Sequence, residues 1–153
     1  MYRIQNQTRD EMIMEDMNKF YNKDKNLNIF YNIKTNKSKI ALRLLEYFTV
    51  TYSNKNKINY KLNGKDYYVY IDYQSHLKAY TKKYFDAYSR GKRIIFIDKF
   101  NRQITTTIAQ LNFMAWIIKH KIINYVEKNL KTIIQDEKQN KTKKKIVKRT
   151  KKK

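Results

Sequence analysis

The chain lacks cysteine and proline altogether and contains only two glycines, Gly64 and Gly91, among its 153 residues. The absence of cysteine excludes disulfides, thiolate nucleophiles and cysteine-ligated zinc, and it fits a reducing compartment. Two isolated glycines exclude a glycine-rich phosphate-binding loop. No apolar run approaches the roughly 20 residues that a membrane span needs, and the polar segment 1–10 lacks the apolar stretch of a secretory signal. We therefore expect an intracellular protein that is neither secreted nor embedded in a membrane.

Acidic residues are also scarce, with 13 Asp and Glu against 35 Lys and Arg and a formal net charge of +22. A compact chain of this charge repels itself unless a polyanion or counterions accompany it, so a partner of opposite sign is expected. The acids are scattered and form no acid–base or metal-binding motif. Asp72 and His76 are four residues apart, but a pair without further ligands is more typical of a local hydrogen bond than of a metal site. The sequence therefore predicts no enzyme, no cofactor and no metal site.

Charge divides the chain into three parts. Residues 1–33 carry five basic and five acidic side chains and are interpreted as a charge-balanced N-terminal extension outside the polyanion site. Residues 34–139 carry 21 basic and 8 acidic side chains among aromatic and branched aliphatic residues, and they form the candidate domain. Residues 140–153 hold nine Lys or Arg and no acid. Because this last segment has almost nothing to bury, it is predicted to be a disordered basic tail. Whether residues 1–33 fold onto the domain is left open.

The first part of this domain predicts a helix followed by a hairpin. A helix over 38–53, capped by its first residue, would place apolar side chains at spacings of three and four, namely Ala41, Leu44, Leu45, Phe48 and Tyr52. The strand-like runs INYKL and YYVYIDY then flank an Asn-Gly pair at 63–64, which favours the positive φ angles of a tight turn. Alternation along these strands would give one face to Ile58, Tyr60 and Leu62, and another to Val69, Ile71 and Tyr73.

An amphipathic helix and two strands are predicted next. The helix spans 75–91, carries lysines away from its apolar stripe and ends at Gly91. The sequence RIIFI at 93–97 indicates a buried strand, which turns toward a second strand at 103–105.

The last predicted element is a long helical stretch. Thr107 and Gln110 have the spacing of a capping box, ahead of an apolar-periodic stretch that ends near Ile134. The pair His120-Lys121 is the point at which this stretch would break into two helices. The sum is an α+β fold, in which a small antiparallel sheet has helices packed on one face and a disordered basic C-terminal tail follows.

Three features point to nucleic acid as the polyanion. The tail can neutralise several phosphates and release their counterions without a fold, although it could also serve for nuclear import or solubility. The segment 80–93 interleaves tyrosines with basic residues, which pairs stacking surfaces with phosphate contacts unless the tyrosines face the core. On the hairpin, Tyr68 and Tyr70 could stack on bases if their face is open, but burial by a helix is the alternative. The predicted nucleic-acid-binding residues are Lys78, Lys82, Lys83, Tyr84, Arg90, Lys92, Arg93, Lys143, Lys144, Lys145, Lys148 and Arg149.

Three blocks of the chain carry a resemblance to a known family. They are LRLLEYFTVTYSNKNKI at 42–58, YIDYQSHLKAYTKKYFDAYSRGKR at 70–93 and TTTIAQLNFMAWII at 105–118. In these blocks the chain resembles an uncharacterised protein family of nucleocytoplasmic large DNA viruses, the group of mimiviruses, iridoviruses and phycodnaviruses. Where the family pattern has Phe-Asp-Pro-Phe-Cys-Arg, this chain has FDAYSR at 85–90, which argues against a redox or metal role there. The resemblance implies a viral origin and brings no activity with it.

The leading prediction is a non-enzymatic viral nucleic-acid-binding protein that uses a basic and aromatic surface of its domain together with the polybasic tail. DNA is expected in preference to RNA, and no sequence specificity is indicated. One alternative is a virion structural or assembly protein whose segment 80–93 and Trp116 contact viral protein partners. Another is an accessory factor of viral transcription or replication. The expected location is the virion or the cytoplasmic virus factory of the host cell.

Overall fold

A computed structural model describes residues 7–151, apart from the side chains of 149–151. The chain is mostly helical, with two short β-hairpins. Its elements, in order, are α1 (Arg9–Phe20), α2 (Asp24–Lys34), α3 (Leu42–Tyr47), a π-helical segment (Phe48–Tyr52), α4 (Ser53–Lys55), β1 (Asn59–Leu62), β2 (Lys65–Tyr68), α5 (Val69–Tyr80), α6 (Lys82–Phe85), β3 (Ile94–Ile97), β4 (Gln103–Thr106), α7 (Ile108–Lys119), α8 (Ile122–Lys128) and α9 (Leu130–Lys151).

Helix α7 lies at the centre of the fold. Every residue from Ala109 to Ile117 is buried, because this stretch is apolar on nearly all sides. Helices α1, α2 and α6 pack against it. The buried amides of Gln110 and Asn112 each donate a hydrogen bond to a backbone carbonyl oxygen. That of Asn112 runs from Nδ2 to the carbonyl oxygen of Tyr84 over 2.9 Å. The central helix therefore also fixes the position of α6, which carries part of the predicted site.

The N-terminal helices belong to this same core. Helices α1 and α2 contribute the buried side chains Ile13, Met17, Leu27, Phe30 and Ile33. The Tyr21 hydroxyl donates a hydrogen bond of 2.7 Å to the carbonyl oxygen of Leu111 in α7. Lys99 Nζ donates to the carbonyl oxygen of Asn22 and forms an ion pair with Asp24. The described part of 1–33 thus folds onto the domain, while residues 1–6 lie outside the described residues.

The α+β class and the antiparallel pairing are confirmed, with the strands arranged as two separate two-stranded sheets. In the first hairpin Leu62 faces Lys65 across the predicted Asn63-Gly64 turn. Both turn residues have positive φ, 51° and 79°, as a type I′ turn requires. The second hairpin pairs Ile94–Ile97 with Gln103–Thr106.

The prediction that the second strand of the first hairpin runs to residue 73 is wrong. Helix α5 begins at Val69, and Val69 and Tyr73 are buried four residues apart. Ile71, which the strand interpretation placed on the same face, is 64% exposed. A short apolar run fits both periods, and packing of the i, i+4 pair against the core selects the helix. Of the two tyrosines that could stack on bases, Tyr70 is therefore a helical residue and Tyr68 remains on the hairpin.

The predicted helix over 75–91 is also corrected. Helix α5 ends at Tyr80, and Thr81 has φ 72° and ψ 165°, a conformation that interrupts any helix and is uncommon for a β-branched residue. A short helix, α6, follows, and the chain then runs as a loop through Gly91 to β3. In β3, Phe96 is buried while Ile95 and Ile97 are exposed, so the strand covers the core with one face only.

The helix predicted over 38–53 begins later and is divided. Its N-cap is Ala41, and the Ser38 hydroxyl accepts a hydrogen bond from the backbone N–H of Ile40 outside the helix. The α-helical turns of α3 give way to a π-helical segment, within which Phe48 and Thr49 are buried. Such π-helical segments are uncommon and have no signature in apolar spacing.

The predicted cap and break of the C-terminal helices are confirmed. The Thr107 hydroxyl accepts a hydrogen bond of 3.0 Å from the N–H of Gln110, and the chain turns at His120 and Lys121, the latter with φ 56°. Helix α9 then runs to Lys151, and its described side chains from 141 to 148 are exposed. The predicted disorder of residues 140–153 stays a prediction, and 152–153 lie outside the described residues. No helix within residues 7–151 is both long enough and apolar enough to cross a membrane.

Candidate nucleic-acid interface

The predicted basic residues of the domain lie at the surface. Their side chains extend from α5, from α6 and from the loop at 86–93, and all are exposed: Lys78, Lys82, Lys83, Arg90, Lys92 and Arg93. The loop lies beside α6, since a Cβ atom on Gly91 would be 3.9 Å from the backbone oxygen of Lys83. The structure thus brings α6 and this loop together, and α5, which carries Lys78, packs against α6.

Tyr84 is not available for stacking on a base, which corrects one member of the predicted set. Its side chain is buried, and its hydroxyl donates a hydrogen bond of 2.5 Å to Asp10 Oδ1 in α1. Instead, the ring forms cation–π contacts with two basic side chains, with Arg9 Cζ at 4.9 Å and Lys83 Nζ at 5.2 Å from its centroid. Arg9 therefore joins the basic surface beside Lys83, although the zero net charge of 1–33 gave no sign of this.

The basic residues of α9 form a separate group. Lys143, Lys144, Lys145 and Lys148 are exposed on its second half, and the side chain of Arg149 lies outside the described residues. The charge of Lys143 interacts with Asp136 and that of Lys144 with Glu46. Both interactions are longer than 4 Å, because neither lysine forms an ion pair within that distance. These lysines belong to α9 and not to the elements that carry Lys82, Lys83 and Arg90.

A cavity of about 290 Å³ opens beside the loop at 86–93. Its wall includes two predicted residues, Arg90 and Arg93, and one that sequence reasoning missed, Lys34 at the end of α2. Hydroxyl and amide side chains complete it, among them Ser89, Thr107 and Gln110. None of its lining residues is acidic. Lys34 was missed because its approach depends on the packing of α2 against α7, which local patterns do not contain.

Electrostatics in the cavity are unfavourable to a cation. Burial, together with the nearby charge of Arg93, lowers the pKa of the Lys34 ammonium. The Oγ of Ser89 is buried and has no hydrogen-bond partner within the described part of the chain. Clustered like charges and an unsatisfied hydroxyl both cost stability, and such costs are typical of binding sites. An anion placed here would offset both.

The residues around Asp72 form the other polar cluster. Asp72 Oδ2 accepts hydrogen bonds from the hydroxyl of Tyr67 over 2.7 Å and from the indole nitrogen of Trp116 over 2.8 Å. His76 Nδ1 lies 3.0 Å from the backbone oxygen of Asp72, and His120 Nε2 lies 3.8 Å from its carboxylate. Burial and the hydrogen bond to Asp72 raise the pKa of the Tyr67 phenol. Within residues 7–151 no three acidic or histidine side chains are placed to hold a metal ion.

This cluster has an evident structural role. It links β2, α5 and the end of α7, since the aspartate accepts from residues of two other elements. The predicted interaction of Asp72 with His76 is present as a local contact, and His120 is a partner that the sequence did not indicate. Trp116 is only 3% exposed, so it does not offer a surface to a partner protein as the assembly alternative assumed.

Comparison with known proteins places the chain among viral proteins. It is 38% identical over 137 residues to the uncharacterized protein L507 of Acanthamoeba polyphaga mimivirus. The match covers 83% of this chain and 53% of that protein, so the chain spans about half the length of this curated relative. No solved structure matches this chain. The viral resemblance of the sequence blocks is thus confirmed, and over residues 3–153 the chain belongs to the family of unknown function DUF7197.

Proposed function

We propose that this protein binds nucleic acid without catalysing a reaction, through the exposed cations of α6, the loop at 86–93 and the second half of α9. The observation that carries the proposal is the distribution of carboxylates. Among the described residues, every carboxylate that lies within 4 Å of a lysine or arginine is paired with a cation outside the predicted set. These cations are Lys19, Lys55, Lys61, Lys99, Arg102 and Lys141. The predicted lysines and arginines whose side chains the structure describes have no such partner, and their charge is available to phosphate.

Binding on this surface would be driven by counterion release. Each phosphate that a lysine or arginine neutralises frees condensed cations from the nucleic acid, which favours association without reading the bases. The burial of Tyr84 supports the same conclusion, because it removes a predicted stacking surface. We propose DNA in preference to RNA, and the virion or virus factory as the location, because the relative comes from a mimivirus, of the group of large DNA viruses that the sequence resembles.

The proposal is tested by titrating the full chain against a labelled DNA duplex, the matching single strand and heparin. A variant with Lys82, Lys83 and Lys92 changed to alanine should lose about tenfold or more in affinity for duplex, since three phosphate contacts are removed. The control changes Lys19, Lys61 and Lys65 to alanine and removes the same charge elsewhere, so its loss should be under about threefold. Equal losses would point to net charge alone, and absence of binding by the unaltered chain would reject the function.

A second candidate, the assembly protein, is favoured by the β3–β4 hairpin. Ile95 and Ile97 are 63% and 55% exposed on the outer face of β3, and Phe100 in its turn is 55% exposed. Exposed apolar side chains grouped in this way are typical of a protein-binding surface. If this face joins copies of the chain, light scattering should show oligomers that Ile95→Lys and Ile97→Lys convert to monomers. Recruitment to a transcription or replication complex stays a third proposal.

A further inference from the structure

We propose that the cavity lined by Lys34, Ser89, Arg90 and Arg93 binds a phosphate monoester, either at the end of a nucleic-acid strand or on a mononucleotide. The identity of the ligand as a nucleotide rests on the proposed function. The preference for an anion rests on the cavity itself. Phosphate binding in this cavity would let the protein recognise the ends of nucleic-acid strands, which a general basic surface does not do.

The charges of the wall favour a dianion. Three cations meet at the cavity without an acidic residue in its lining, and Lys34 is close enough to Arg93 for their charges to repel. A terminal monoester carries up to two negative charges near neutral pH, whereas an internal diester carries one. A terminal phosphate therefore offsets more of this repulsion than a phosphate within the strand. Arginine adds geometric preference, because its planar guanidinium can donate two parallel hydrogen bonds to one phosphate.

The uncharged groups of the wall are suited to phosphate oxygens. The Ser89 hydroxyl is buried without a hydrogen-bond partner in the described residues, and an anionic acceptor would satisfy it. The first turn of α7 also borders the cavity, since its N-cap Thr107 and Gln110 are in the wall. The N-terminal end of a twelve-residue helix carries partial positive charge, which adds to the attraction for an anion.

The size of the cavity fits a nucleotide end. A volume of about 290 Å³ lies at the lower limit of ordinary ligand sites, which range from about 300 to 1,000 Å³. The wall is also held in place before a ligand arrives. Gln110 Nε2 donates to the carbonyl oxygen of Ala87 over 3.0 Å, and Gln110 Oε1 accepts from the Thr106 hydroxyl over 2.8 Å. Preorganised donors bind an anion without the cost of ordering a loop.

The test compares oligonucleotides of one sequence that carry a 5′-phosphate, a 3′-phosphate or only hydroxyl ends, bound to the full chain. A strand with one of the phosphorylated ends should bind about tenfold tighter than the hydroxyl-ended strand, the gain of one or two charge-assisted hydrogen bonds. Adenosine 5′-monophosphate and inorganic phosphate distinguish the sources. If AMP removes the preference and inorganic phosphate does not, the nucleoside part of the ligand is recognised as well. If both remove it, the phosphate alone is recognised.

Substitutions assign the preference to the cavity. Lys34→Met keeps the length of the side chain and removes its charge, so the ratio of the two affinities should fall to about one. Arg93→Gln should act in the same direction, and it serves as the second variant if Lys34→Met does not fold. Lys61→Met removes an exposed charge from β1 and should leave the ratio unchanged. Thermal melting of each variant establishes that it is folded.

The outcomes separate this inference from the proposed function. Equal affinity for phosphorylated and hydroxyl ends by the unaltered chain overturns the end-reading cavity and leaves general nucleic-acid binding intact. Binding of AMP without binding of any oligonucleotide overturns the proposed function and retains an anion-binding cavity. A preference that persists in both Lys34→Met and Arg93→Gln also overturns the inference, because the site then lies elsewhere.

Discussion

Gln110 in the first turn of α7 donates a hydrogen bond from Nε2 to the carbonyl oxygen of Ala87, 3.0 Å away in the loop that carries Arg90 and Arg93. Its Oε1 accepts from the Thr106 hydroxyl over 2.8 Å, so the amide is used in both directions. This one side chain connects the central helix, the last residue of β4 and the basic loop. The position of the basic loop thus depends on a buried polar contact.

Removing this amide should loosen the loop and the fold together. Gln110→Ala leaves the Ala87 carbonyl and the Thr106 hydroxyl buried without their partner, so the free energy of unfolding should fall by about 1–3 kcal/mol. Affinity for duplex DNA should fall as well, because the loop cations lose their support. Gln103→Ala, at an exposed position of β4, is the control and should change stability by less than about 0.5 kcal/mol. Urea unfolding measures the stability of the two variants. Equal losses of stability in Gln110→Ala and Gln103→Ala would contradict this role of Gln110.

The salt dependence of binding tests the electrostatic premise. Log affinity for duplex DNA should fall with log salt at a slope of about −0.9 per phosphate contacted, so four contacts give a slope near −3.5. Titrations by fluorescence anisotropy at several salt concentrations measure this slope. An affinity that does not change with salt would contradict binding through the cations.

Much of the fold was predictable because its signals are local. The Asn63-Gly64 turn and the Thr107 cap depend on a few adjacent residues, and both predictions are confirmed. The start of α5 was not predictable in this way. Val69, Ile71 and Tyr73 fit an alternating strand, and only the packing of Val69 and Tyr73 on the core decides for the helix.

The residues of the candidate site were likewise predictable only where the signal is local in sequence. Arg90 and Arg93 were predicted from a basic segment, and both line the cavity. Lys34 and Arg9 were not predicted, since each reaches the site from a helix that is distant in sequence. Tyr84 was predicted to contact nucleic acid unless the tyrosines face the core, and its burial decides for the core. The sequence could not decide this, because the hydrogen-bond partner of Tyr84, Asp10, belongs to a segment whose packing was unknown from sequence.

Asp98 should make stability depend on acid pH. Burial alone would raise the pKa of its carboxyl, but hydrogen bonds from Arg102 and from the Phe100 backbone lower it below the ordinary 3.8. A carboxyl with a lowered pKa in the folded state stabilises the protein above its ordinary pKa, and this contribution is lost as pH falls through the folded value. The protein should therefore lose stability progressively below about pH 3.8.

Asp98→Asn provides the direct measurement. Because it leaves the partly buried Arg102 without its carboxylate, we expect a loss of about 3 kcal/mol at pH 7 in urea unfolding. The difference from the unaltered protein should shrink at pH 3. Asp66→Asn, which breaks the exposed pair with Lys61, is the control and should cost less than about 1 kcal/mol. A difference that stays constant from pH 7 to pH 3 would contradict the assignment.

Changing Arg90, Lys92 and Arg93 to alanine should separate affinity from folding. Exposed charges contribute little to stability, so the melting temperature of a chain that ends at residue 139 should stay within about 5 °C. Nucleic-acid affinity should fall, and the salt slope should become shallower by about one unit per lost contact. Reversal to glutamate should weaken binding further, because repulsion replaces attraction. If the alanine variant binds normally, the interface lies on another face.

Helix α9 should become more helical when it binds a polyanion. Its first half is anchored, since Ile133 is buried and Asp136 accepts from the Tyr47 hydroxyl over 2.6 Å and from Lys55 over 2.7 Å. Its second half is exposed and carries lysines at i, i+4 spacing, as at 141 and 145 and at 144 and 148. Like charges at this spacing destabilise a helix, and phosphate or sulfate groups screen them.

Circular dichroism at 222 nm measures this coupling, with heparin as the polyanion because DNA absorbs and contributes its own signal in this range. The full chain should gain helical signal as heparin is added, whereas a chain that ends at residue 139 should not. The shortened chain should melt within about 5 °C of the full one, because the residues removed are exposed where the structure describes their side chains. A much lower melting temperature would show that the second half of α9 packs on the domain. An unchanged spectrum of the full chain at saturating heparin would show that its lysines do not need the anion to form the helix.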